Sequence, residues 1–100
     1  MYIVMIEFNR PSEDIPYYID TNPELKAEFL GFLETNKQLI LEMQVINDGT
    51  KQTTVSIYAD ESMFNTFIEL FNSVFPTLFV DRDAYCQANN ITMSRTIETM

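Results

Sequence analysis

Hydrophobic positions along this chain alternate in some stretches and recur every three to four residues in others. The switches lay out its elements. Residues 2–9 put Tyr2, Val4, Ile6 and Phe8 on one face and Ile3, Met5, Glu7 and Asn9 on the other, the period-two pattern of a strand. The wholly apolar first set is expected to face helices. Residues 39–46 alternate Leu39, Leu41, Met43 and Val45 against Ile40, Glu42, Gln44 and Ile46. Residues 53–59 alternate Thr53, Val55, Ile57 and Ala59 against Thr54, Ser56 and Tyr58. Asn47-Asp48-Gly49-Thr50 between them predicts a tight hairpin. Residues 91–97 form a last strand, with Ile91, Met93, Arg95 and Ile97 opposite Thr92, Ser94 and Thr96.

Helical spacing fills the gaps. Asn22-Pro23-Glu24 opens a first helix, because Asn22 accepts from a free backbone N–H, Pro23 suits the first position and Glu24 suits the positive end of the dipole. Leu25, Phe29, Phe32 and Leu33 follow on one face, and Gly31 marks either a weak point or a close approach. Asp60 caps a second helix carrying Phe64, Phe67, Ile68, Phe71 and Phe75, which Pro76 stops. Residues 81–88 predict a short further helix with Tyr85 and Cys86 turned inward, and Asn89-Asn90 a turn. Strand, helix, strand, turn, strand, helix, strand is the order of a ferredoxin-like α+β domain, βαββαβ with an antiparallel sheet. One such domain is expected over residues 1–100.

Residues 10–21 are unusual for a loop. Pro11 and Pro16 oppose regular structure, yet Ile15, Tyr17, Tyr18 and Ile19 are apolar. The segment is expected to pack against a helix or a partner subunit, or to serve as a lid.

Charge narrows the function. Fifteen acidic residues against six basic ones give a formal charge of -9, so no nucleic-acid partner and no anionic membrane surface is expected. The chain has no histidine, which removes His-dependent triads, His-ligated haem and nearly all zinc sites. No acidic cluster has calcium-loop spacing, so no metal and no cofactor is expected. The single cysteine, Cys86, suits a reducing compartment. No apolar run approaches the ~20 residues of a membrane span, and Glu7 interrupts the N-terminal run where a leader would continue. A soluble, cytoplasmic protein is the expectation.

The element order, the Asp60-Glu61-Ser62 helix start and the segment Asp81-Arg82-Asp83-Ala84-Tyr85 before a short final strand resemble the dimeric α/β-barrel superfamily, in particular its antibiotic-biosynthesis monooxygenase-like branch. The resemblance covers nearly the whole chain. It implies two ferredoxin-like subunits packed sheet against sheet, each keeping a pocket between sheet and helices. Members include oxygenases, isomerases, haem-degrading enzymes and binding proteins. The haem-degrading branch uses an Asn on the first strand, which Asn9 matches, with a Trp and a His that this chain lacks. The oxygenase branch places Trp, His, Tyr or Asn around its substrate, and only Tyr and Asn remain here.

The eight Phe, five Tyr and six Met are read in two ways. Either they fill a dense core, or they wall an apolar cavity for an amphipathic or aromatic small molecule such as a fatty-acid-like chain. The expected binding residues are Phe8, Arg10, Tyr17, Phe29, Phe32, Phe64, Phe67 and Phe71, with Arg10 meeting an acidic head. Catalytic residues stay unassigned. Arg95, among apolar neighbours, is expected to pair with Glu7 or Glu42 of either subunit; ligand capture is its second reading. The partner is a second copy of the chain, joined through Ile3, Met5, Ile40, Ile46 and Tyr58. Two alternatives stand beside the binding protein. One is a cofactor-independent monooxygenase or isomerase in which Tyr17, Tyr58 or Asn9 orients the substrate. The other is a non-catalytic dimerising scaffold.

Overall fold

A computed structural model describes residues 1–100. The elements in order are β1 (Tyr2–Asn9), a 3-10 turn (Tyr18–Thr21), α1 (Pro23–Thr35), β2 (Glu42–Asp48), β3 (Lys51–Tyr58), α2 (Glu61–Val74), α3 (Leu78–Ala88) and β4 (Thr92–Thr99). The four strands form one antiparallel sheet in the order β2-β3-β1-β4. With three helices, this is a mixed α+β domain compatible with a ferredoxin-like fold.

Local chemistry starts both expected helices where the caps stand. The Asn22 side chain accepts from the Glu24 and Leu25 backbone N–H groups at 3.1 and 3.2 Å, and Asp60 accepts from Met63 N–H at 2.9 Å. The β2–β3 hairpin is tighter than a four-residue link. Asp48 pairs with Lys51, leaving only Gly49-Thr50 in the turn. Gly49 has φ 60°, a conformation glycine adopts without steric cost.

Strand register and one turn decide the placement of three side chains differently from expectation. Antiparallel partners share a face. Tyr58 lies opposite Tyr2 and Ser56 opposite Val4, so Tyr58 joins the helix-side core and is 2% exposed. It does not belong to the open face. Arg95 lies opposite Ile6 and also points to the helix side. Glu7 lies opposite Thr53, and Glu42 opposite Ile57, on the other face. The expected Arg95 ion pair is therefore absent within the chain, because the sheet itself stands between the partners. Glu7 instead sits 3.9 Å from Lys51 and accepts from Asn9. Ile40 is the third correction. The strand begins at Glu42 and not at Leu39, because Leu39 N–H bonds back to Asn36 O in a turn. That turn drops Ile40 into the helix-side core.

The third helix starts earlier than its charged residues suggest. It begins at Leu78, and Leu78 is buried. Pro76 ends α2 but the chain turns helical again within a few residues, bending the pair by 84°. Asn90, at φ 57°, makes the turn into β4, a left-handed conformation that Asn tolerates better than most residues. No single helix is long and apolar enough to cross a membrane.

The core centres on aromatic rings. Phe32, Phe67, Phe71, Phe75 and Tyr58 are all buried with Tyr2 and Val4. Gly31 marks no close approach: a Cβ there would meet nothing within 4 Å.

Candidate functional site

All three helices cover the same face of the sheet. An apolar cavity of about 740 Å³ lies between the two layers, within the ~300–1,000 Å³ of small-molecule sites. Val4, Ile6 and Phe8 form its floor, with Thr54, Ser56 and Tyr58 beside them. Phe29 from α1 and Phe64, Phe67 and Phe71 from α2 form the roof. Twenty of its 29 lining residues are hydrophobic, so the interior rewards apolar contact over most of its area.

The loop after β1 closes one side. Tyr17, Tyr18 and Ile19 line the cavity. The Tyr17 hydroxyl donates to Thr50 O at 3.1 Å, and its ring lies 6.2 Å from that of Phe8. Tyr85 donates to Pro16 O at 2.7 Å, and its ring packs 5.7 Å from Tyr18. The segment is thus pinned to the sheet end by Tyr17 and to α3 by Tyr85. It packs as a wall.

Six of the eight expected binding residues come together around the cavity: Phe8, Tyr17, Phe29, Phe64, Phe67 and Phe71. Phe32 stands behind them, edge-on to Phe67, Phe71 and Phe75 at 5.5, 5.4 and 5.8 Å. Arg10 is committed elsewhere. Its Nη1 donates to Ile15 O at 2.8 Å and its Nη2 to Gly49 O at 3.0 Å, while its guanidinium lies 4.5 Å from the Tyr17 ring centre. It holds the loop against the hairpin, and its Nε is buried with no partner. Asn9 is on the far side from Phe8 by strand alternation and donates to Glu7.

Sequence reasoning overlooked Arg82 and Phe79. Both line the cavity. Asp81-Arg82-Asp83 reads as a solvated helix face, yet the Arg82 side chain is only 17% exposed. Its guanidinium lies 4.8 Å from the Phe79 ring centre and 5.7 Å from that of Phe8, a cation–π arrangement. The only available signal was the pair Leu78-Phe79 one turn earlier, which extends the helix and aims its apolar face at the sheet.

The interior is a poor setting for acid–base work near neutral pH. Burial pushes the Tyr58 hydroxyl up, and the Ser56 hydroxyl opposes this only in part. Burial also raises the Cys86 thiol, with Arg82 pulling it down and Asp83 adding to the rise. Burial likewise raises Tyr17, against Arg10. In all three groups burial favours the protonated form. No three Cys, Asp or Glu side chains gather that could hold a metal ion.

The direction carries a stability consequence. Tyr58 titrates higher folded than unfolded, so its contribution is fully present below the ordinary tyrosine range near ~10. It is lost as pH rises from there through the folded value, because the unfolded chain releases the proton first. Alkaline unfolding monitored by circular dichroism should therefore show stability falling above about pH 10. Tyr58→Phe should flatten that fall, and an unchanged alkaline slope would refute the role of Tyr58.

Comparison with known protein families and with curated proteins finds no match to this chain.

Proposed function

We propose that this chain binds an amphipathic or aromatic small molecule between its sheet and its helices, as a ferredoxin-like subunit of the dimeric α/β-barrel kind. The observation that carries the reading is the cavity of about 740 Å³, apolar over most of its lining and walled by rigid rings. Tyr58, Phe64, Phe67 and Phe71 pack on one another at 5.1 to 6.2 Å and bury Tyr2 and Val4, while Ile6 and Phe8 further along β1 stay only partly buried on the cavity floor. Binding is favoured over an oxygenase or isomerase role because Tyr17, Tyr58 and Cys86 are held protonated. A general acid or base works best with a pKa near the operating pH.

The second half of the reading is a homodimer. Ile3, Met5, Val55 and Ile57 sit on the uncovered sheet face, with Ile46 52% exposed beside them. A contiguous apolar face of this kind is a mark of an interface. Packing two such faces follows the ordinary geometry of stacked sheets.

A thermal-shift screen tests the cavity with medium- and long-chain fatty acids, fatty alcohols and flat aromatic compounds. A guest that binds only the folded state stabilises it by about 2.7 kcal/mol at one hundred times its Kd. For a domain of this size that raises Tm by roughly 10–20 °C. Within a chain-length series, each added methylene that stays buried should tighten binding about fourfold. No shift with any compound would leave the dimerising scaffold as the remaining reading.

A further inference from the structure

The charges around the cavity are distributed against the composition of the chain. Of six cationic side chains, Lys26, Arg82 and Arg95 line it; of fifteen acidic ones, only Asp20 does. Lys26 and Asp20 satisfy each other at 2.7 Å. That leaves two arginines on the cavity wall of an acidic protein. The Arg82 guanidinium lies over the Phe8 ring. Arg95 stands on the neighbouring strand β4, opposite Ile6 and two residues along from Met93, the partner of Phe8.

We infer that the Arg82–Arg95 end is a head-group site for one negative charge, and that the guest is a monocarboxylic acid with an apolar chain or ring body. This rests on the cavity being a binding site. The inference follows from what each arginine lacks. Arg95 makes no side-chain hydrogen bond and no ion pair, although acids outnumber cations by more than two to one in the chain. It is exposed at the rim, on a strand whose residues are all exposed, and is free to fold over a guest. Arg82 gives its Nε and Nη2 to Asp83 Oδ1, each at 3.2 Å. The rest of its planar fork remains, and the Phe79 and Phe8 rings fix the plane. Asp83 is 57% exposed and cancels one of the two positive charges. One unit remains, which suits a carboxylate better than a dianionic phosphate. The low-dielectric wall on the ring side strengthens the attraction over its value in water.

Calorimetric titration with decanoate, decanol and decyl phosphate separates the possibilities. The wild-type protein should bind decanoate about ten- to a hundredfold more tightly than decanol, the range of a charge-assisted hydrogen bond. Arg95→Gln should remove most of that preference and leave decanol binding unchanged. Arg82→Gln should do the same; if it fails to fold, exposed Arg95 still carries the test. Lys37→Gln, whose side chain pairs with Glu34 on the surface, should change neither. Equal affinity for decanoate and decanol would overturn the head-group site while leaving the cavity reading intact. Decyl phosphate binding more tightly than decanoate would overturn the single-charge match. Binding of none of the three would overturn both readings.

Discussion

Replacing Phe71 with alanine is expected to cost about 3–5 kcal/mol of folding stability, the range for truncating a buried Phe. Phe71 is 2% exposed. Its ring meets Phe29 at 5.9 Å, Phe32 at 5.4 Å, Phe75 at 5.0 Å and Phe79 at 4.9 Å. It therefore joins α1, α2 and α3 in one cluster. Truncation loses the transfer energy of the ring and the contacts of several neighbours at once. It also opens the cluster toward the existing cavity, so the surroundings have little to collapse onto. Against a total stability of ~5–15 kcal/mol, the loss is a large fraction. Urea unfolding measures it through the midpoint. Leu30→Ala, at a side chain with 54% exposed, should change stability by no more than about 0.5 kcal/mol. A Phe71 effect as small as that would mean the ring cluster is not what holds the helices over the sheet.

Met5→Asp is expected to break the proposed dimer while sparing the monomer. Met5 lies opposite Val55, next to the Ile3–Ile57 pair, at the middle of the uncovered face. In a two-fold interface the substitution enters twice, and like charges brought face to face cost several kcal/mol. That weakens association at least about a hundredfold. The helix-side core sees none of this, since Met5 and its apolar neighbours Val4 and Ile6 point to opposite faces. Sedimentation equilibrium should find dimer for the wild type at micromolar concentration and monomer for the variant, with the folded circular dichroism spectrum retained. A wild-type monomer would remove the homodimer. A Met5→Asp dimer as tight as the wild type would move the interface to another surface.

The local signals in the sequence agree with the structure because their physics is local. Asn22, Pro23 and Asp60 act on N–H groups two or three residues away, and they start α1 and α2 where the sequence places them. Gly49 sets its turn by its own φ. The phenylalanines of α2 fall on one face because 3.6 residues make a turn, and Phe64, Phe67 and Phe71 all reach the cavity. Where the sequence misled, the cause was a distant partner. Nothing near Tyr58 reveals that it pairs with Tyr2, and nothing near Arg95 reveals that it pairs with Ile6. A shift of one residue in either register would have turned those side chains to the opposite face. The start of β2 shifts for a local reason, the turn in which Leu39 N–H bonds to Asn36 O. Leu39, Ile40 and Leu41 alternate into the strand by pattern, but the end of α1 needs those residues to turn the chain back.

Arg82 and Arg10 show the same division in the candidate site. By sequence Arg10 follows an apolar strand beside an apolar loop, and Arg82 lies between two acids. Folding exchanges their roles. The carbonyls of Ile15 and Gly49 converge on Arg10 and consume it as a clamp. The start of α3 at Leu78 rotates Arg82 onto Phe79 and Phe8. The chain by itself determined its α+β class, its caps and turns, the aromatic layer and the exclusion of histidine chemistry, since these depend on residue type and on spacing within a few positions. Only the tertiary structure decided which face Tyr58 and Arg95 occupy, that the aromatic layer borders an open cavity, and which arginines line it. Those outcomes depend on strand register and helix placement between residues up to nearly the full length of the chain apart, where no short-range preference acts.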